Sequence, residues 1–135
     1  MQEEVAHQLI PRDGVIYTYV VENTETKQVT DFISFYHLSI QILLKETEHP
    51  HTHLEGAYLL YNVTTKNDPV TLLKYALFHA KENNMDVFNA LDIMNNEDFM
   101  YELKFMPGDG YLHYYLYNWS LKTRLSQREI AVALF

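Results

Sequence analysis

Four short stretches of the sequence hold groups whose type and setting could do chemistry. PGDG sets Asp109 between Gly108 and Gly110, which permit a tight turn with the carboxylate offered at its tip. Such an acid can meet a cationic ligand or close the turn on its own backbone, and the stretch alone supports either reading. DVFNAL puts Asn89 among apolar neighbours. An unpartnered amide is costly there, so Asn89 either hydrogen-bonds in a core or faces a ligand. KETEHPHTH carries His49, His51 and His53, but alternate spacing around Pro50 in a loop supplies no fixed geometry and no supporting shell, which argues against a metal. Finally, REIAVALF has the composition of a buried strand and no polar tail, so a main-chain carboxylate stands where chains are usually frayed and solvated. With no cysteine there is no thiolate nucleophile, no disulfide framework and no Cys-based metal site.

These groups need elements to hold them. EEVAHQLI has helix-forming composition closed by Pro11, and GVIYTYVV (14–21) predicts a strand between turn signals. Polar ENTETKQ leads into VTDFISFYHLSI, which predicts a second strand over 29–38 paired antiparallel with the first. Residues 45–53 read as a loop, and AYLLYNVTT (57–65) as a third strand. Asp68 is an N-cap followed by Pro69, and Val70, Leu73, Ala76, Leu77 and Ala80 share one helix face that ends at Asn83 and Asn84. DVFNAL then predicts a short strand carrying Asn89. Asn95 or Asn96 caps a second helix through NNEDFMYELKF, with Glu97 and Asp98 at the positive end of its dipole. The PGDG turn launches a strand in YLHYYLYNW, and EIAVALF is the last strand. The order predicts an α/β (α+β) domain over 1–135, a mixed sheet with antiparallel parts flanked by helices.

A chain of 135 residues with 47% hydrophobic content can bury roughly two-thirds of its unfolded surface as one domain. Four Gly and four Pro leave little room for linkers, and no repeat or low-complexity run occurs. The formal charge of -8, with ten scattered Lys and Arg, argues against nucleic acid and favours a partner carrying positive charge. No stretch approaches the ~20 apolar residues of a membrane span, and MQEEVAHQLI is too acidic for a signal peptide. A reducing, aqueous compartment, the cytoplasm, is expected.

Taken in order, DVFNALD, LKFMPGDG, YYLYNW and the terminal AVALF resemble the C-terminal half of the eukaryotic N-myristoyltransferase family. The likeness starts at QEEVAH, includes VVEN and VTDFISFY, and covers nearly the whole chain. It implies one of two GNAT-like acyltransferase halves related by a pseudo-twofold axis. The N-terminal half mainly holds myristoyl-CoA and the C-terminal half mainly shapes the peptide pocket. The implied activity is transfer of a tetradecanoyl group from its CoA thioester to the amine of an N-terminal glycine, with myristoyl-CoA as co-substrate and no resident cofactor or metal. The implied partners are a glycine-led peptide carrying basic residues and the missing N-terminal half. Carried over by motif, Tyr58 of EGAYLLYN, Asn89, Asp109, Gly110, Leu112 and Leu134 line the substrate site. Glycine's amine, with a reference pKa near ~8, enters mostly as ammonium and needs a base within ~2.6 to 3.2 Å or one water. The resemblance assigns that role to Phe135 through its main-chain carboxylate.

Two departures bear on these roles. KFMPGDG has Met106 where the family has a glycine, which can reshape the turn before Asp109. A Pro-Ser pair after the second strand's FY-x-L is replaced by Ser39 and Ile40, and one step along a strand turns a side chain to the other face. A lobe separated from its other half is expected to be inactive alone and to expose an apolar patch. Met1 falls inside the likeness, so upstream sequence separates a piece of a full enzyme from the alternative, a non-catalytic GNAT-like module that binds peptides or proteins. A complete small GNAT acetyltransferase is disfavoured, because no R/Q-x-x-G-x-G/A run occurs to cradle a pyrophosphate.

Overall fold

The computed structural model describes residues 2–43 and 51–131. Pro11 stops helix α1 (Gln2–Leu9), and after a short loop strand β1 (Ile16–Glu22) begins. The reversal into β2 (Val29–Gln41) is built by Asn23, whose side-chain oxygen accepts the N–H of Glu25 and of Thr26, each at 2.9 Å. Lys27 completes the turn at φ 58°, and β1 and β2 pair antiparallel from Ile16↔Tyr36 to Glu22↔Val29. Strand β3 (His53–Val63) then pairs antiparallel with β2, and the sheet is completed by β4 (Val87–Asn89), parallel to β3, in the order β1-β2-β3-β4. A parallel neighbour demands a crossover, which helix α2 (Pro69–Glu82) supplies. Its start has a local cause: the Asp68 carboxylate accepts from Thr71 N at 3.1 Å, and Pro69 has no N–H to lose. Its end is set by Asn84, in the left-handed region at φ 58°.

Alternation on the strands selects the packed face. Ile33 and Phe35 of β2 and Ala57 and Leu59 of β3 are buried against Val70, Leu73, Ala76 and Ala80 of α2, and Phe99 of α3 (Glu97–Met100) joins them. Phe35 stacks on Tyr17 (centroids 5.3 Å apart) and meets Phe88 edge-on at 5.5 Å. Each such side chain contributes about 1.5–3 kcal/mol on burial.

One buried acid locks this arrangement. Asp31, 1% exposed near the start of β2, accepts the main-chain N–H of Thr65 (2.8 Å), Lys66 (3.1 Å) and Asn67 (3.2 Å) on one oxygen. Its other oxygen accepts from Thr30 Oγ1 and Asn67 Nδ2, each at 2.6 Å. Burial alone would push this carboxyl up, but the hydrogen bonds prevail and hold it well below the usual carboxylate range.

Three expectations change. Strand β3 starts at His53, not 57, because its first residues pair with Gln41 and Ile40. The helix expected through Phe105 ends at Met100 and gives way to turns with Lys104 at φ 58°. Asn96 is its N-cap residue but makes no capping bond. Its buried amide instead accepts from Asn62 Nδ2 (3.1 Å) and donates to the Leu91 carbonyl (2.8 Å). Lastly, YLHYYLYNW forms no strand: from 107 to 126 the chain has no regular element, then a 3-10 turn, Gln127–Glu129. A strand needs a neighbour's N–H and C=O groups, and none is offered to it among the described residues. The expected final strand lies mostly at 132–135, outside the described residues.

Candidate functional site

A cleft of about 960 Å³ opens where β4, α3 and the segment after Phe105 meet. The end of β4 gives it Phe88 and Asn89, α3 and the following turns give Met100, Leu103 and Phe105, and the irregular segment gives Gly110 and Leu112. Its size suits an extended organic or peptide ligand, and its walls are mainly apolar with a few polar groups, the usual chemistry of such sites. Phe105 anchors the wall edge-on to both Phe88 (6.3 Å) and Phe99 (6.2 Å), which ties the cleft to the core.

The far side is fastened by charge. Arg128 donates from Nε (3.3 Å) and Nη2 (3.0 Å) to Glu97 and from Nη2 to Asp98 (3.0 Å). Ser126 and Glu129 cap each other's ends of the 3-10 turn, so Gln127 and Ile130 are held as part of the cleft lining.

The residues expected at the site divide. Asn89, Gly110 and Leu112 line this one cleft, and Asn89 is half-buried on its wall. Tyr58 is Asn89's partner in the β3–β4 register but does not line the cleft; its ring stacks on Tyr36 at 5.3 Å. Burial, and then Tyr58, raise the Tyr36 hydroxyl above its ordinary value. Asp109 is exposed and stands between two lining glycines without lining the cleft itself. The turn around it does not use glycine's left-handed freedom, since Gly14 is the one glycine with positive φ. A Cβ at Gly110 would meet nothing within 4 Å. Met106 is 88% exposed and lines the cleft. Leu134 and Phe135 lie outside the described residues, as does His49.

Ser39 does not stand in for the hydroxyl displaced by Ile40. It donates to Glu55 at 2.9 Å, and Glu55 also accepts from His37 Nε2, whose other ring nitrogen meets the Gly14 carbonyl at 3.1 Å. The His37 and Ser39 bonds hold the Glu55 carboxyl below its ordinary value. Ile40 instead approaches Gly56, where a Cβ would lie 3.5 Å from its Cδ1. Sequence reasoning did not single out Phe105, Met100 or Arg128. The apolar run of Phe99, Met100, Leu103 and Phe105 was the available signal for the first two, and nothing local marked Arg128. Among the described residues no group of three His, Asp or Glu side chains gathers to hold a metal ion, and no helix is long and apolar enough to cross a membrane.

With this geometry in view, the family model for the C-terminal domain of myristoyl-CoA:protein N-myristoyltransferase matches residues 1–133. The chain belongs to that family. Glycylpeptide N-tetradecanoyltransferase 1 of Arabidopsis thaliana is 48% identical over 133 residues, 98% of this chain and 30% of the relative. The chain thus spans less than a third of the relative's length. A Saccharomyces cerevisiae N-myristoyltransferase with bound myristoyl-CoA superposes with TM-score 0.64 at 37% identity, covering 82% of this chain and 29% of that one. A Brucella melitensis ribosomal-protein-alanine N-acetyltransferase at 14% identity, TM-score 0.56, covering 87% of this chain and 81% of that one, shares the fold alone. The mixed sheet with flanking helices is therefore the GNAT-like acyltransferase fold, as the resemblance implied.

Proposed function

We propose that residues 1–135 form the peptide-binding lobe of a protein N-myristoyltransferase, which with an N-terminal lobe transfers the tetradecanoyl group of myristoyl-CoA to an N-terminal glycine. The observation that carries this reading is the apolar cleft uniting Asn89, Gly110 and Leu112 in a chain of this family. The glycine amine attacks the thioester carbonyl, an amide bond forms, the C–S bond breaks, and CoA leaves as the thiol. The amine's proton goes to a general base, for which the family resemblance assigns the main-chain carboxylate of Phe135, with Leu134 walling the site. Glu97 is paired with Arg128, which leaves Asp92 on the lining and Asp109 beside it against Lys104, a slight acidic excess that favours a peptide with basic residues. The described residues contain no glycine-rich turn leading into a helix, so the CoA phosphates are assigned to the other lobe, and the role of Tyr58 rests on the family resemblance. A chain without cysteine suits a reducing, cytoplasmic setting.

The test joins this chain to the N-terminal part of the Arabidopsis thaliana relative and follows acylation of a glycine-led peptide. The joined protein turns over and the chain alone does not. Deleting Leu134 and Phe135, or appending two glycines, lowers turnover about 100-fold or more, as loss of a general base does, while Phe135→Leu is nearly silent. Turnover by the chain alone would refute the reading. Peptide binding without turnover in the joined protein would favour a non-catalytic binding module instead.

A further inference from the structure

Three successive main-chain N–H groups pointing at one spot, at the entrance to a helix, make a cradle for an anion, and phosphate is the usual guest. Thr65, Lys66 and Asn67 form such a cradle at the entrance to α2, and it already holds an anion: one oxygen of Asp31, within 3.2 Å of all three nitrogens. The guest is fixed from behind as well, because Thr30 Oγ1 and Asn67 Nδ2 donate to its second oxygen. It comes from β2, more than thirty residues away in sequence, and is 1% exposed. A second carboxylate, Asp68, accepts from one of the free amides of the helix's first turn, Thr71 N, at 3.1 Å. The three cradle amides and the Thr71 amide at this turn are thus met by the chain's own negative charges.

We infer that Asp31 is a built-in anion that fills a phosphate cradle at the β3–α2 turn and so closes this lobe to the pyrophosphate of an acyl-CoA. The identity of the excluded ligand rests on the function proposed above; the filled cradle does not. A phosphate arriving here would find the three cradle amides taken and two carboxylates beside them. Beside the missing glycine-rich turn, the lobe thus carries a second bar to CoA phosphates, in one side chain on a neighbouring strand.

The cradle is tested in the 135-residue chain by removing its guest and supplying another. Thermal unfolding of Asp31→Gly and Asp31→Asn is measured with added formate or pyrophosphate against chloride at equal ionic strength. A cradle left empty predicts that Asp31→Gly is destabilised in chloride and regains several degrees of Tm, saturably, in formate or pyrophosphate, while the wild type does not move. Amide exchange in the wild type gives a reading that needs no variant: the Thr65, Lys66 and Asn67 amides exchange slowly although they lie in a loop. Absence of an anion-selective gain in both variants, an equal gain in the wild type, or rapid exchange of those three amides would overturn the inference. None of these readouts involves acyl transfer, so the cradle can stand if the enzymatic reading falls, and the reverse.

Discussion

Phe35 and Tyr117 are both aromatic side chains in stretches composed like strands, yet one is 0% exposed and the other 92%. Phe35 lies on a strand whose two neighbours satisfy its backbone, and it is walled by Tyr17, Tyr19 and Phe88. Tyr117 lies in a segment that carries Tyr115, Trp119 and Leu121 as well, all exposed. Composition reports how much a segment has to bury, and the surroundings decide whether it can. Between 16 and 105 the inward-facing apolar side chains of the strands and of α2 find partners in the chain, although Leu43 and Tyr101 stay exposed. Beyond 106 they are mostly not found among the described residues, as expected for a lobe that spans under a third of its relatives.

Substitutions can break or sharpen this contrast. The largest effect is expected from Phe35→Ala, about 3–5 kcal/mol by urea denaturation, the usual cost of a cavity at a fully enclosed aromatic. Asp31→Ala follows at about 3 kcal/mol, because it removes the shared acceptor of three main-chain and two side-chain donors at once. The same group predicts acid sensitivity. Its folded carboxyl titrates below the unfolded one, so its stabilisation is complete above pH about 4 and is lost as pH falls further. Unfolding free energy measured from pH 6 to pH 2 should drop more steeply in the wild type than in Asp31→Asn. Asn96→Ala should cost about 1–2 kcal/mol for two buried hydrogen bonds. Trp119→Ala should change stability of the chain by less than about 0.5 kcal/mol. A cost for Trp119→Ala comparable to that for Phe35→Ala would abolish the contrast. A cost that appears when the N-terminal part is joined would sharpen it.

What was legible in the sequence follows the same division. Helix α2 was readable to its caps, because Asp68, Pro69 and the apolar spacing of Val70, Leu73 and Ala76 act within one or two turns. The β1–β2 pairing was readable from the polar turn between two β-type runs. Asn96 stands at the expected N-cap position, but its side chain is drawn off by a tertiary partner, Asn62, 34 positions away, and makes no capping bond. Gly110, Leu112 and Asn89 were found through motif likeness and fall on one cleft, whereas the pairing of Arg128 with Glu97 and Asp98 depends on how a segment without regular structure returns to α3. No local pattern encodes such a return.

The Arg128 fastening differs in kind from the rest of the fold. Its groups are half or more exposed, so its hold is set by the solvent as much as by the protein. At 0.15 M ionic strength screening acts over about 8 Å, and at 1 M over about 3 Å, the length of the contacts themselves. The sheet and its aromatic packing do not respond to salt in this way. The cleft therefore has one wall of constant stiffness and one whose stiffness is adjustable by ions, and its mouth loosens in brine while its floor stays as it is.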